Sequence, residues 1–250
     1  MKKILFLGLL SISGVCGAAQ KKVLMSPIQE LWQACEDGNA DRVASLLACN
    51  QGLDVNAVNE DGRSPLMLSA YHNNATLTEL LLKAGAHSNQ KSIAGLNNEK
   101  CTPLYLACGF GYEKNVRALL SDENIDVNSG CSENTPLVAA CDKGNSSIVA
   151  MLLKHKDIKI NPIGSAHSPL LLACQHGYGC IVRMLLDCPE IQVNAGDKEE
   201  WTPLFAACWH DRGNARRPSL LDVLATPENR EGRKGYDGTC NDGSGDGGGS

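Results

Sequence analysis

Five times this chain writes the same phrase: Ser64-Pro65-Leu66, Thr102-Pro103-Leu104, Thr135-Pro136-Leu137, Ser168-Pro169-Leu170 and Thr202-Pro203-Leu204. The start-to-start steps are 38, 33, 33 and 34 residues. A fixed period of this size means supersecondary units stacked in a row, each touching its neighbours, rather than one closed core. A row of units builds a long surface instead of an enclosed cleft. That points to binding before catalysis.

Each phrase marks a helix start. The Ser or Thr hydroxyl caps the orphan N–H groups of the first turn. Proline follows where its missing N–H costs nothing and its fixed φ suits a helix. Leucine is then the first core residue. A small pair comes next: Ser69-Ala70, Ala107-Cys108, Ala140-Cys141, Ala173-Cys174 and Ala207-Cys208. Small side chains there let neighbouring backbones approach. Gly111, Gly144, Gly177 and Gly213, with Asn73 in the corresponding place, offer the left-handed conformation that ends a helix. A second apolar helix ends in Leu46-Leu47, Leu81-Leu82, Leu119-Leu120, Leu152-Leu153 and Leu185-Leu186. The chain leaves through Asp54-Val55-Asn56, Asp126-Val127-Asn128, Ile160-Asn161 and Val193-Asn194, short stretches that suit an extended finger.

Helix, turn, helix and projecting finger at this period resemble the ankyrin repeat. The resemblance runs from about Pro27 to Leu224. It implies an all-α repeat: an ankyrin-repeat solenoid of about six helix-turn-helix units with short hairpin fingers. The expected units span about 27–59, 60–98, 99–131, 132–164, 165–197 and 198–224, the first lacking the phrase. Three departures stand out. Where the family usually has His after Thr-Pro-Leu, this chain has Met67, Tyr105, Val138, Leu171 and Phe205, so apolar packing has to replace that hydrogen bond. The last unit is irregular, with extra residues around Trp209 to Arg212 and Pro218 inside its expected second helix. The finger between Asn89 and Thr102 is about five residues longer, Lys91 to Asn98; it is either a tolerated insertion or a place where binding is tuned.

The ends read differently from the array. Lys2-Lys3, an apolar run from Ile4 to Val15 and the small residues Gly17-Ala18-Ala19 have the pattern of a secretory signal peptide, residues 1–19. The run is too short to span a bilayer as a helix. Its style resembles bacterial Sec signals, and implies an exported protein, periplasmic or secreted, with no membrane insertion after cleavage. Cys16 raises lipidation, but Val15 before it is larger than a lipoprotein signal wants. Residues 225–250 are rich in Gly and Asp and cannot bury enough apolar surface to order themselves; they read as a flexible tail or an engineering scar.

Charge narrows the partner. The chain carries 23 basic and 28 acidic residues, net −5; losing Lys2 and Lys3 makes it 21 against 28, or −7. Nucleic-acid binding relies on neutralising phosphates, so nucleic acid is not the expected partner. Another protein is, and a monomer is the expected state.

Twelve cysteines invite a chemical reading. Cys35, Cys108, Cys141, Cys174 and Cys208 fall on one repeat position, and read as small buried hydrophobes. Packed helices lie about 8–10 Å apart and a disulfide needs Cα atoms within about 7 Å, so ladder neighbours should not pair. Cys101 and Cys131 sit in adjacent fingers, where a staple is conceivable in an oxidising compartment. Cys174, His176 and Cys180, with Cys208 and His210 one unit on, lack the C-x2-C spacing of a zinc site. The acidic run from Asp237 to Gly243 fails the calcium-loop pattern at Asp242 and Gly248. No metal or cofactor is expected.

Nothing in the chain reads as a nucleophile with its base, a P-loop or a His-Glu-x-x-His helix. No enzymatic activity is expected. Candidate partner-binding residues follow from the resemblance, which implies contacts from fingers and inner-helix ends. These are Arg63, His167 and Trp201 ahead of the phrases, and Tyr71, His72, Phe110, Tyr112, His176, Tyr178, Trp209 and His210 at the helix ends. Aromatics make up only 4 % of the chain, so their gathering at these positions suggests a contact stripe. The plainer alternative is that Tyr112 and Tyr178 pack the inter-helix turn. The expected role is a protein-binding scaffold of the bacterial envelope, or else a secreted effector of a host-associated bacterium that binds a host protein; a structural spacer is the third reading.

Overall fold

The computed structural model describes residues 25–50, 52–94, 99–131, 134–162 and 168–213. The signal-like segment 1–19, Cys16, His167, Pro218 and the tail lie outside them.

Among the described residues, eleven helices and one hairpin are arranged as the period requires. The inner row is α1 (Pro27–Glu36), α3 (Pro65–Tyr71), α5 (Pro103–Phe110), α7 (Pro136–Asp142), α9 (Pro169–Gln175) and α11 (Pro203–Gly213). The outer row is α2 (Ala40–Cys49), α4 (Ala75–Lys83), α6 (Glu113–Leu120), α8 (Ser146–Leu153) and α10 (Gly179–Leu186). Inner helices pack in sequence, α1 on α3 through α9 on α11, and outer helices likewise from α2 to α10. Stability is therefore a sum of units and nearest-neighbour interfaces.

Local chemistry explains the starts. Ser64, Thr102, Thr135, Ser168 and Thr202 each accept a hydrogen bond from the N–H three residues on, that of Met67, Tyr105, Val138, Leu171 and Phe205, at 3.1–3.3 Å. Each such cap contributes about 1 kcal/mol. The first unit has its own version, unread in the sequence: Ser26 and Gln29 form a reciprocal capping box ahead of Pro27. The turns between paired helices are left-handed at Gly38, Asn73, Gly111, Gly144 and Gly177, with φ of 66, 54, 78, 75 and 73°.

The core is a continuous column. Leu31, Leu66, Leu104, Leu137 and Leu170 are essentially fully buried along the inner row, and Leu46, Leu81, Leu119, Leu152 and Leu185 line the outer row. Met67, Val138 and Leu171 are buried where the family's His was expected. The last unit departs from the expectation. Leu204 is 52 % exposed and Phe205 49 %, and Cys208 is only half-buried, because α11 packs on α9 and nothing among the described residues covers its other side.

The fingers are tied by asparagines. Asn56, Asn89, Asn128 and Asn161 each reach one unit along. Their amides donate to the carbonyls of Gly85, Asn124, Asp157 and Glu190 at 3.3, 2.7, 2.8 and 2.7 Å. Their side-chain oxygens accept from the N–H of His87, Asp126, Lys159 and Gln192 at 2.7, 2.8, 2.8 and 3.0 Å. Each asparagine thus acts as a two-point brace for the neighbouring finger.

The long finger forms a hairpin, β1 (Ser92–Ala94) against β2 (Glu99–Cys101), antiparallel with Ser92 opposite Cys101. A disulfide joins Cys101 to Cys131 on the next finger. The conceivable staple is present. Both sulfurs are buried beside Tyr105 and Leu106.

Candidate partner-binding face

The inner helices pack side by side in one row, each after α1 entered through the finger before it. Along this inner edge the described sequence candidates fall into three groups.

The first group spans units two and three. Arg63 precedes the Ser64 cap and lays its guanidinium 5.1 Å above the Tyr71 ring. The Arg63 Nε is buried without a hydrogen-bond partner, so the ring face is what compensates it. Tyr71 meets Phe110 edge-on at 5.5 Å, and Phe110 stacks on Tyr112 at 5.5 Å. His72 abuts Tyr71 at 5.4 Å. Phe110 remains 49 % exposed and Tyr71 39 %, a large apolar area open to water.

The middle group is polar. Asp142 ends α7, and its carboxylate meets the Lys143 ammonium at 2.8 Å and the His176 Nε2 at 3.2 Å. Partial burial works against the Asp142 carboxylate, but hydrogen bonds and charge from Lys143 and His176 outweigh it and lower its pKa. The same contact raises the Lys143 ammonium above its usual range. His176 also lies 5.6 Å from Tyr178.

Tyr178 and His210 are seated in the stack as well. A Cβ added at Gly144 would lie 2.6 Å from the Tyr178 ring, and one at Gly177 would lie 2.2 Å from the His210 ring. The turn glycines thus leave room for the rings of the following unit. This is the packing role weighed for Tyr178 in the sequence.

The third group closes the row. Trp201 contacts Phe205 edge-on at 4.9 Å and Trp209 at 6.1 Å with a 60° tilt. Trp209 is 63 % exposed. Phe205, read from sequence as core packing, belongs to this exposed group instead. The loop before it repeats an earlier one bond for bond. The Asn59 side chain accepts from the N–H of Asp61 and Arg63, and the Asp197 side chain from those of Glu199 and Trp201. Gly62 in the first loop and Glu200 in the second take positive φ, 72° and 63°. Sequence reading missed Glu200, although aligning Asn59-Glu60-Asp61-Gly62-Arg63 with Asp197-Lys198-Glu199-Glu200-Trp201 exposes it.

Elsewhere, a shallow recess of about 640 Å³ between units two and three is lined by Leu82, His87, Asn89, Gln90, Asp122 and Asn124, the braced finger bases rather than the aromatic groups. The thiols of Cys35, Cys108 and Cys141 are buried, and desolvation pushes all three up, Cys35 to about 12. They are poor nucleophiles and poor metal ligands in the fold. No helix among the described residues is long and apolar enough to cross a membrane.

Comparison with known proteins agrees with the geometry. A family model described as ankyrin repeats (3 copies) matches residues 31–131, 93–163 and 137–221. A tyrosine-protein kinase, HTK16 of Hydra vulgaris, is 32 % identical over 97 residues, covering 39 % of this chain and 12 % of the kinase. The chain therefore spans only a small part of that relative's length. The crystal structure of EF0377, an ankyrin repeat protein, superposes with a TM-score of 0.67 at 21 % identity, covering 80 % of this chain and 98 % of that one. Ankyrin repeats are in general protein–protein interaction modules. With 31–221 matched and the helix-turn-helix stack in place, the chain belongs to the ankyrin repeat family.

Proposed function

We propose that this protein is a binding scaffold that holds a partner protein along the edge formed by the fingers and the inner-helix ends. One observation carries the reading. Large aromatics are left exposed at this edge, at Tyr71, Phe110, Phe205 and Trp209, while the inner-row leucines of the units before the last, Leu31, Leu66, Leu104, Leu137 and Leu170, are buried. Exposed aromatics beside ordered polar groups are the usual anchors of a protein interface. The Asp142, Lys143 and His176 group between them supplies the orienting polar contacts.

We place this activity outside the cytosol, in the bacterial envelope. The signal-like start supports that reading, and so does the Cys101–Cys131 disulfide, which persists in oxidising compartments.

Photo-crosslinking in the native compartment tests the proposal. A crosslinking residue replacing Phe110 should give a discrete protein adduct, while one replacing Glu79 on the outer helix α4 should not. Equal labelling from both positions, or none from Phe110, defeats it and favours a spacer.

A further inference from the structure

Unit six reverses a contact that unit two makes for itself. In unit two, Arg63 stands ahead of the cap and its guanidinium covers the ring of Tyr71. The repeat places Trp201 where Arg63 stands and Trp209 where Tyr71 stands. The last unit therefore offers two indoles and an edge-on phenyl where the earlier one holds an arginine–ring pair. Indole is the best aromatic face for a cation.

The loop beside it has the opposite sign. Asp197, Lys198, Glu199 and Glu200 carry three acids and one base, and Glu199 and Glu200 are exposed. Glu200 is held at φ 63°, a conformation that Gly62 adopts without side-chain strain in the matching turn. The chain thus keeps a carboxylate at a position where glycine is the relaxed choice. Two exposed carboxylates directly ahead of the half-buried Trp201 in the chain raise the local negative potential and disfavour burial of a purely apolar side chain there.

We propose that Trp201, Phe205 and Trp209, with Glu199 and Glu200, form a subsite for a cationic side chain, arginine or lysine, of the partner protein. This rests on the reading that the inner-helix edge binds a protein, and it names the chemistry of one anchor. The cation lies on the Trp209 face, which is the more exposed indole, and the carboxylates balance its charge. Arginine suits the site best, because its planar group stacks on an indole and is weakly hydrated.

The test uses the full chain, immobilised, and a random peptide display library as probe. Enriched peptides should share an Arg or Lys at one position. Replacing that Arg by citrulline (neutral, near-isosteric), or that Lys by norleucine, should weaken binding by roughly two- to five-fold, the range for an exposed cation–ring contact. The same replacement should cost less on Trp209→Ala and on the Glu199→Gln/Glu200→Gln pair. Glu200→Gly should weaken capture while the urea midpoint stays the same or rises, an outcome that loss of folding cannot produce. Enriched peptides without a common basic position, or a neutralising replacement without effect, overturn this inference and leave the binding edge standing. Peptides captured equally well by Trp201→Ala/Trp209→Ala, or no enrichment at all, overturn both.

Discussion

Glu200 occupies the turn position of Gly62: each lies three residues beyond the Asx side chain that closes its loop, and each has positive φ. Only one of the two residues is suited to that conformation. Glu200→Gly should raise stability by about 0.5 kcal/mol, because left-handed strain of about 1–2 kcal/mol is relieved against the extra entropy of glycine. Gly62→Glu should lower it by about 1 kcal/mol. Urea unfolding with unchanged slope reads both, and two shifts of the same sign would refute the equivalence.

Gly144 and Tyr178 are coupled across adjacent units. Gly144→Ala introduces a Cβ 2.6 Å from the ring at a residue with φ 75°. The loss should be about 2 kcal/mol or more. In a Tyr178→Ala background the steric part disappears and only the backbone strain remains. A double-mutant cycle should show that coupling, and strict additivity would mean the ring does not rest on the turn.

The Cys101–Cys131 bond closes a loop with a sequence separation of 30. Removing it by Cys101→Ser/Cys131→Ser should cost about 3 kcal/mol through the unfolded chain. Thermal unfolding of oxidised protein with and without the substitutions measures the cost. An unchanged midpoint would show that the staple constrains nothing.

Asp142 links stability to pH. Its folded pKa is depressed below the ordinary 3.8, mainly through Lys143 and His176 acting against burial. Its contribution is therefore present above that unfolded value and is lost as pH falls through the lower folded value. Asp142→Asn should flatten this acid limb of the urea-midpoint profile. An identical limb in the variant would show that other carboxylates govern it.

Much of the fold was legible because its determinants are local. A hydroxyl before proline, as at Thr135-Pro136, caps its own helix, and a turn glycine such as Gly144 needs only its own φ. What depends on the neighbouring unit was not legible. Leu204 and Phe205 stand in the same phrase as Leu170 and Leu171, yet they are exposed because no described helix packs on their far side. The two-point bonds of the finger asparagines, Asn56 and Asn89 among them, were not legible, because both partners of each lie in the next unit. The aromatic positions were readable, but not their partners: that Arg63 covers Tyr71 while Trp201 meets Trp209 is a matter of side-chain direction. The sign of φ at Glu200 is legible only through its alignment with Gly62, not from the glutamate itself.

The central claim is that the exposed aromatic edge grips another protein. Affinity capture from the native compartment with wild type and with Trp201→Ala/Trp209→Ala, each checked by helical circular dichroism, measures it most directly. The account predicts a discrete partner on the wild type and its loss from a variant whose helical signal is intact; full retention of that partner by the folded variant would contradict it.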